Sequence, residues 1–155
     1  MRPGIGPAKA AAVVAGFELA RRAEDGQDPE PLRSLEDVAR AAWRELSAAR
    51  RERLLVLVCD TANRLRRTVV VSEGSVDRSL VPVREILNAV LRHDGRALAL
   101  AHNHPSGMPE PSEADHRATA EVQAAAAVAG LRFLGHVVVA SQGWRPVEGG
   151  GAHQG

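Results

Sequence analysis

Ala97-Leu98-Ala99-Leu100-Ala101 is apolar at every position and runs directly into His102-Asn103-His104-Pro105-Ser106-Gly107. A short unbroken apolar run is the pattern of a buried strand, and this one is predicted to be central in its sheet. Pro105, Gly107, Pro109 and Pro111 make the following segment a loop. Ser112 is a ready N-cap, so a helix is expected over about 113–129, with Gly130 ending it. In open α/β sheets, sites are assembled just past the carboxyl ends of such strands.

His102 and His104 occupy alternate positions and project to the same side of an extended segment. Asp115 lies in the first turn of the following helix, and Ser112 stands three residues before it, close enough to be its neighbour. Two imidazoles, a carboxylate and a hydroxyl therefore converge at the end of a buried strand. Three such ligands hold a catalytic zinc while leaving one tetrahedral position for water. That chemistry also needs a group to take the water's proton and deliver it to a leaving group. Glu52, just ahead of the first strand, is the first candidate, and Glu73, at the end of the second strand, is the alternative. Ser112 is a candidate hydrogen-bond donor to an oxyanion formed from a carbonyl substrate. His-x-His by itself is a weak signal, and these residues alone leave a metal site and an ordinary packed pair both open.

The chain before this motif reads in order. A helix is predicted over about 7–22, followed by the polar, acidic stretch Glu24-Asp25-Gly26-Gln27-Asp28-Pro29-Glu30-Pro31, a linker by composition. Residues 1–26 then form one segment, 27–33 a linker, 34–145 the main domain and 146–155 a disordered tail. Ser34 and Asp37 resemble a capping pair that opens a helix running to about residue 50. Strands are predicted over about 54–60 and 65–72, paired antiparallel across the turn Thr61-Ala62-Asn63, and a helix over about 83–93. A last strand covers about 131–140. Cys59 is the only cysteine and lies inside an apolar run, so it reads as a buried structural thiol. His116 points away from Asp115 as an exposed or supporting group, His93 ends a helix, and His153 belongs to the tail.

Apolar residues make up 45% of the 155-residue chain and charged residues 25%, the ordinary balance of a soluble globular protein. No segment has the ~18 uninterrupted apolar residues of a membrane-spanning helix, and 10–20 reads as a helix rather than a signal peptide. The expected location is the cytoplasm, with no membrane partner. A net charge of +1 does not announce nucleic-acid binding. The clusters Arg50, Arg51, Arg53 and Arg64, Arg66, Arg67 can meet phosphate or form a solvated face.

His102-Asn103-His104-Pro105-Ser106-Gly107 through Pro111, Ser112 and Asp115 resembles the RadC family of bacterial proteins, which carries a JAMM-type (MPN-like) metalloprotease domain. Arg51-Glu52 ahead of the first strand, Asn63-Arg64, Gly74 and Arg84-Glu85-Ile86 fit the same family, so the resemblance runs from Gly4 to about Ala140. It implies an α/β fold, a mixed sheet flanked by helices with a cytidine-deaminase-like architecture. It also implies that His102, His104 and Asp115 hold one zinc ion, favours Glu52 over Glu73 as the acid/base, and suggests a peptide or isopeptide substrate. Gly4-Ile5-Gly6-Pro7-Ala8-Lys9 resembles the second hairpin of a helix-hairpin-helix module that here begins partway through. Gly4, Gly6 and Lys9 are its candidate contacts to DNA, through backbone N–H groups at a helix N-terminus. Two departures stand out. Pro82-Val83-Arg84-Glu85 replaces the family's His-Pro-Arg-Glu, and Gly135-His136 replaces its Asp-His. An acidic group at 135 that oriented a ligand would be missed in metal affinity.

The reading that follows is a zinc-dependent hydrolase of amide bonds. Its rivals are a DNA-repair-associated nucleic-acid-binding module or metal-dependent nuclease, and an adaptor that holds a partner peptide without cleaving it. A second copy of the chain, in a homodimer, is a further candidate partner.

Overall fold

The computed structural model describes residues 13–16, 28–74 and 82–149. In chain order these form α1 (Leu35–Ser47), β1 (Arg53–Cys59), β2 (Leu65–Glu73), α2 (Val83–Arg92), β3 (Ala97–Asn103), α3 (Glu113–Val128), β4 (Arg132–Ala140) and β5 (Gly143–Pro146). The sheet order is β2-β1-β3-β4-β5, so the strand carrying the histidines is central, as its uniform apolarity predicts. β1 pairs antiparallel with β2 and with β3, β4 antiparallel with β5, and β3 parallel with β4. The parallel step needs a crossover, which α3 supplies. The result is a mixed α/β sheet with flanking helices.

Strand alternation sorts the core into two layers. Leu55, Leu57, Cys59, Ala97, Ala99, Ala101, Val137 and Val139 pack against Val38, Ala42, Trp43 and Leu46 of α1. Val56, Val58, Leu98 and Leu100 pack on the other face against Ile86 and Val90 of α2 and Val122 and Ala126 of α3. Each fully buried leucine or valine here contributes about 1.5–3 kcal/mol of transfer free energy. The small side chains of Ala97, Ala99 and Ala101 let α1 approach the sheet closely. Cys59 is buried and free, and burial pushes its thiol up to about 11, as suits an inert packing residue.

Two sequence expectations need correction. β3 does not stop at Ala101 but runs through Asn103, because β1 and β4 extend alongside it and complete the ladder opposite Leu54, Val138 and Val139. The strand over 132–140 is not the last. β5 follows, paired to Val137–Ala140, with Trp144 packed on the α1 layer. Four residues carry too little periodicity to be read in advance. Buried residues also flank 34–145 on either side. Leu32 is buried and its N–H donates to Asn63 O at 2.8 Å, and Val147 is buried with its N–H on His136 O at 2.8 Å. The predicted helix over 7–22 is described only at 13–16, which are helical, and the rest lies outside the described residues. Among the described residues no helix is long and apolar enough to cross a membrane.

Candidate metal centre

The centre is built where β3 ends and α3 begins. By alternation His102 and His104 share the α3 side of the sheet, and His104 is held by its N–H on Val139 O at 3.1 Å, one step beyond the parallel ladder. Their Nε2 atoms lie 3.0 Å apart. Asp115 is the third residue of α3. Its carboxylate accepts the Ser112 N–H at 2.8 Å while Ser112 Oγ accepts the Asp115 N–H at 3.1 Å, so a reciprocal cap fixes both. That leaves Asp115 Oδ1 3.3 Å from His102 Nε2 and Oδ2 3.3 Å from His104 Nε2. Ligands about 2.0–2.1 Å from a tetrahedral ion are themselves separated by about 3.3 Å. Glu52 approaches from the residue before β1, and a ligand atom from each of Glu52, His102 and His104 lies within 4.8 Å of the others.

Hydrogen bonding shows what the cluster wants in its middle. His104 Nδ1 lies 3.1 Å from Met108 O, and a carbonyl oxygen only accepts. The ring proton therefore sits on Nδ1, and a neutral His104 presents a bare lone pair at Nε2. A lone pair, a second imidazole nitrogen and a carboxylate converge on one small volume, an arrangement that calls for a positive charge. Burial pushes the Asp115 carboxyl up, but His102 and His104 outweigh it and hold it far below the usual carboxylate range. The same carboxylate raises His104, against the opposing effect of burial. Without a metal, a proton on His104 takes the cation's place. The donor set of two imidazoles and a carboxylate suits a divalent transition metal.

A sequence profile of the RadC-like JAB domain matches residues 32–148. This chain belongs to that family. Relatives named UPF0758 protein from Syntrophotalea carbinolica, Geotalea uraniireducens and Methanosarcina mazei are 39%, 37% and 35% identical, over 91%, 88% and 88% of this chain. The aligned parts cover 63%, 60% and 60% of those proteins, so the chain spans less than two thirds of each relative's length.

Within the JAB domain, the structure brings His102, His104, Asp115, Ser112 and Glu52 to one end of the sheet. Glu73 stands opposite Arg53 at the same end of the sheet, but its carboxylate pairs with Arg53 at 3.1 Å. Gly4, Gly6 and Lys9 fall outside the described residues. His116 turns from the centre, its Nδ1 2.7 Å from Glu148 O. Ser112 is committed as the cap of α3, and its hydroxyl proton is left for another acceptor. Asn103, between the two histidines, was not singled out from the sequence. It points to the opposite face, where Oδ1 accepts the Arg53 N–H at 2.7 Å and Nδ2 donates to Arg51 O at 2.9 Å. Those bonds flank Glu52 on both sides and hold it beside the histidines.

The Gly135 departure from the family pattern does not reach the centre. A Cβ at 135 would run into Leu35 Cδ2, on the α1 side of the sheet, and the backbone there has φ +134°. The site-facing neighbour is His136, whose Nε2 lies 2.7 Å from His102 Nδ1. The expectation that lacking an acid at 135 deprives a ligand of its orienting partner is therefore corrected. A side chain at 135 faces away, because successive strand residues alternate. Pro82-Val83 opens α2, where Arg84 and Glu85 are exposed.

Proposed function

We propose that this JAB domain is a zinc-dependent hydrolase of peptide or isopeptide bonds. The convergence of the His102 and His104 Nε2 atoms with the Asp115 carboxylate, with Glu52 in reach, carries the reading. His102, His104 and Asp115 would hold the ion. Zinc bound there would supply Lewis acidity and activate water near neutral pH. Glu52 takes the proton from the attacking water and returns it to the leaving nitrogen, and the Asn103 bonds on either side keep it in place. Ser112 donates its remaining hydroxyl proton to the carbonyl oxygen as charge builds there.

Elemental analysis beside turnover on a panel of peptides and isopeptides tests this. The native chain is expected to carry one zinc, and Glu52→Gln to keep the zinc while losing about 10²–10⁴-fold in rate. Equal turnover in Glu52→Gln removes Glu52 from the mechanism. Zinc with no turnover on the whole panel favours a protein that binds a partner peptide without cleaving it.

A second reading, action on nucleic acid, is favoured by a cleft of about 460 Å³ lined by Arg44, Arg50, Arg51 and Arg53 with Glu45 and Glu73. Four phosphate contacts there would give DNA binding whose logarithm falls with the logarithm of salt at a slope of about −3.6. Absence of binding at low salt overturns it.

A further inference from the structure

Two buried side chains outside the ligand set, Thr119 of α3 and His136 of β4, form a hydrogen-bonded chain that ends on His102. Thr119 Oγ1 donates to the Asp115 main-chain carbonyl at 2.8 Å and lies 2.7 Å from His136 Nδ1. His136 Nε2 lies 2.7 Å from His102 Nδ1. Thr119 is 1% exposed and His136 3%.

Proton positions follow from the carbonyl end. A carbonyl oxygen only accepts, and a threonine hydroxyl has one proton. With that proton on Asp115 O, Thr119 Oγ1 meets His136 as an acceptor, so His136 Nδ1 carries the hydrogen. A neutral imidazole has one N–H, which leaves His136 Nε2 as a lone pair. His102 Nδ1 must then donate, and His102 Nε2 becomes a lone pair facing His104 and Asp115. Reversing the chain would leave the 2.8 Å contact between Thr119 and Asp115 without a proton. It would also place an N–H on His102 Nε2, in the position of a ligand lone pair.

We infer that Thr119 and His136 are positioning residues that lock His102 in the tautomer able to ligate a divalent metal through Nε2. The inference rests on the metal reading above. Ligating histidines commonly donate their second N–H to a carboxylate, carbonyl or water. Here the acceptor is a neutral imidazole. It orients His102 without adding negative charge, so Asp115 is the one anionic group of the three-ligand set. Thr119 lies one turn after Asp115 on the same helix, so one helical face presents the carboxylate and sets the imidazole.

Two measurements on the whole chain test this. Imidazole nitrogen–proton correlation spectra are expected to show His136 protonated at Nδ1, with or without zinc. Zinc affinity by chelator competition is expected to fall about 10–100-fold in Thr119→Val, which keeps the shape and removes the hydroxyl, and to return in Thr119→Ser. His136 protonated at Nε2, or Thr119→Val affinity within twofold of native, overturns the relay. The tautomer decides alone if Thr119→Val does not fold. A native chain that takes up no zinc overturns the metal reading instead, and the zinc-free spectrum still tests the relay.

Discussion

Helix α1 opens with Ser34-Leu35-Glu36-Asp37 and α3 with Ser112-Glu113-Ala114-Asp115. Both are capping boxes, with each serine oxygen accepting the aspartate N–H at 3.1 Å and each aspartate Oδ2 accepting the serine N–H, at 3.2 Å in α1 and 2.8 Å in α3. Around Asp37 the site is at the surface, and Oδ2 takes a second backbone donor, the Arg33 N–H at 2.8 Å. The position matching Arg33 before α3 is Pro111, which has no N–H to give. Asp115 keeps acceptor capacity in reserve, and α3 begins where β3 delivers two imidazoles to use it. A cap that only finishes a helix and a cap whose carboxylate also faces two imidazoles differ in one missing donor and in what stands opposite.

The largest expected effect separates the two aspartates. Asp115→Ala should abolish stoichiometric zinc, whereas Asp37→Ala should retain it, both read by elemental analysis. Equal zinc in the two variants would break the comparison. Next, Ser112→Ala should lower zinc affinity about 10-fold by removing the oxygen that accepts the Asp115 N–H and so loosening the turn that aims its carboxylate. Ser34→Ala should leave affinity unchanged and cost only about 1 kcal/mol in denaturant unfolding, the usual worth of a lost cap. A smaller effect is expected of Pro111→Ala, a decrease of a few-fold in zinc affinity as the new N–H competes for Oδ2. Unchanged affinity would mean that the missing donor has no consequence.

The smallest effect concerns pH in the zinc-free protein. The Asp115 carboxylate raises His104 in the folded state. A raised histidine contributes stability that is complete below its unfolded value, ~6.5, and is lost as pH rises through the folded value. Asp37→Ala keeps this pair and Asp115→Ala does not. From pH 6 to pH 8 the thermal midpoint of Asp37→Ala should therefore drop further, by on the order of a few degrees. His136, which burial holds well below its ordinary value, is present in both variants, though the Asp115 charge that raises it is lost together with the His104 pairing. Parallel midpoints would remove the pairing.

Much of the fold was legible because its signals are local. The Ser34 and Ser112 caps, the apolar run at 97–101 and the break at Gly130 each mark an element within a few residues. β5 was not legible, since its four residues are ordered by pairing with β4. Of the candidate centre, His102, His104, Ser112 and Asp115 stand in one stretch of sequence with recognisable spacing. Thr119 and His136 do not. They lie 17 residues from each other, and His136 lies 34 from His102, so no periodicity joins them.

The sequence by itself determined which residues could bind an ion and that they would follow a buried strand, because ligand type and strand alternation are properties of the chain. Only the tertiary structure decided which glutamate stands beside the histidines, what orients each ring and where a side chain at 135 would face. The parallel pairing of β3 with β4 brings His136 to His102. Asn103, gripping the segment before β1, brings Glu52 to the same end. Those contacts depend on strand register and on which helix covers which face of the sheet, and both are set by packing across the whole domain.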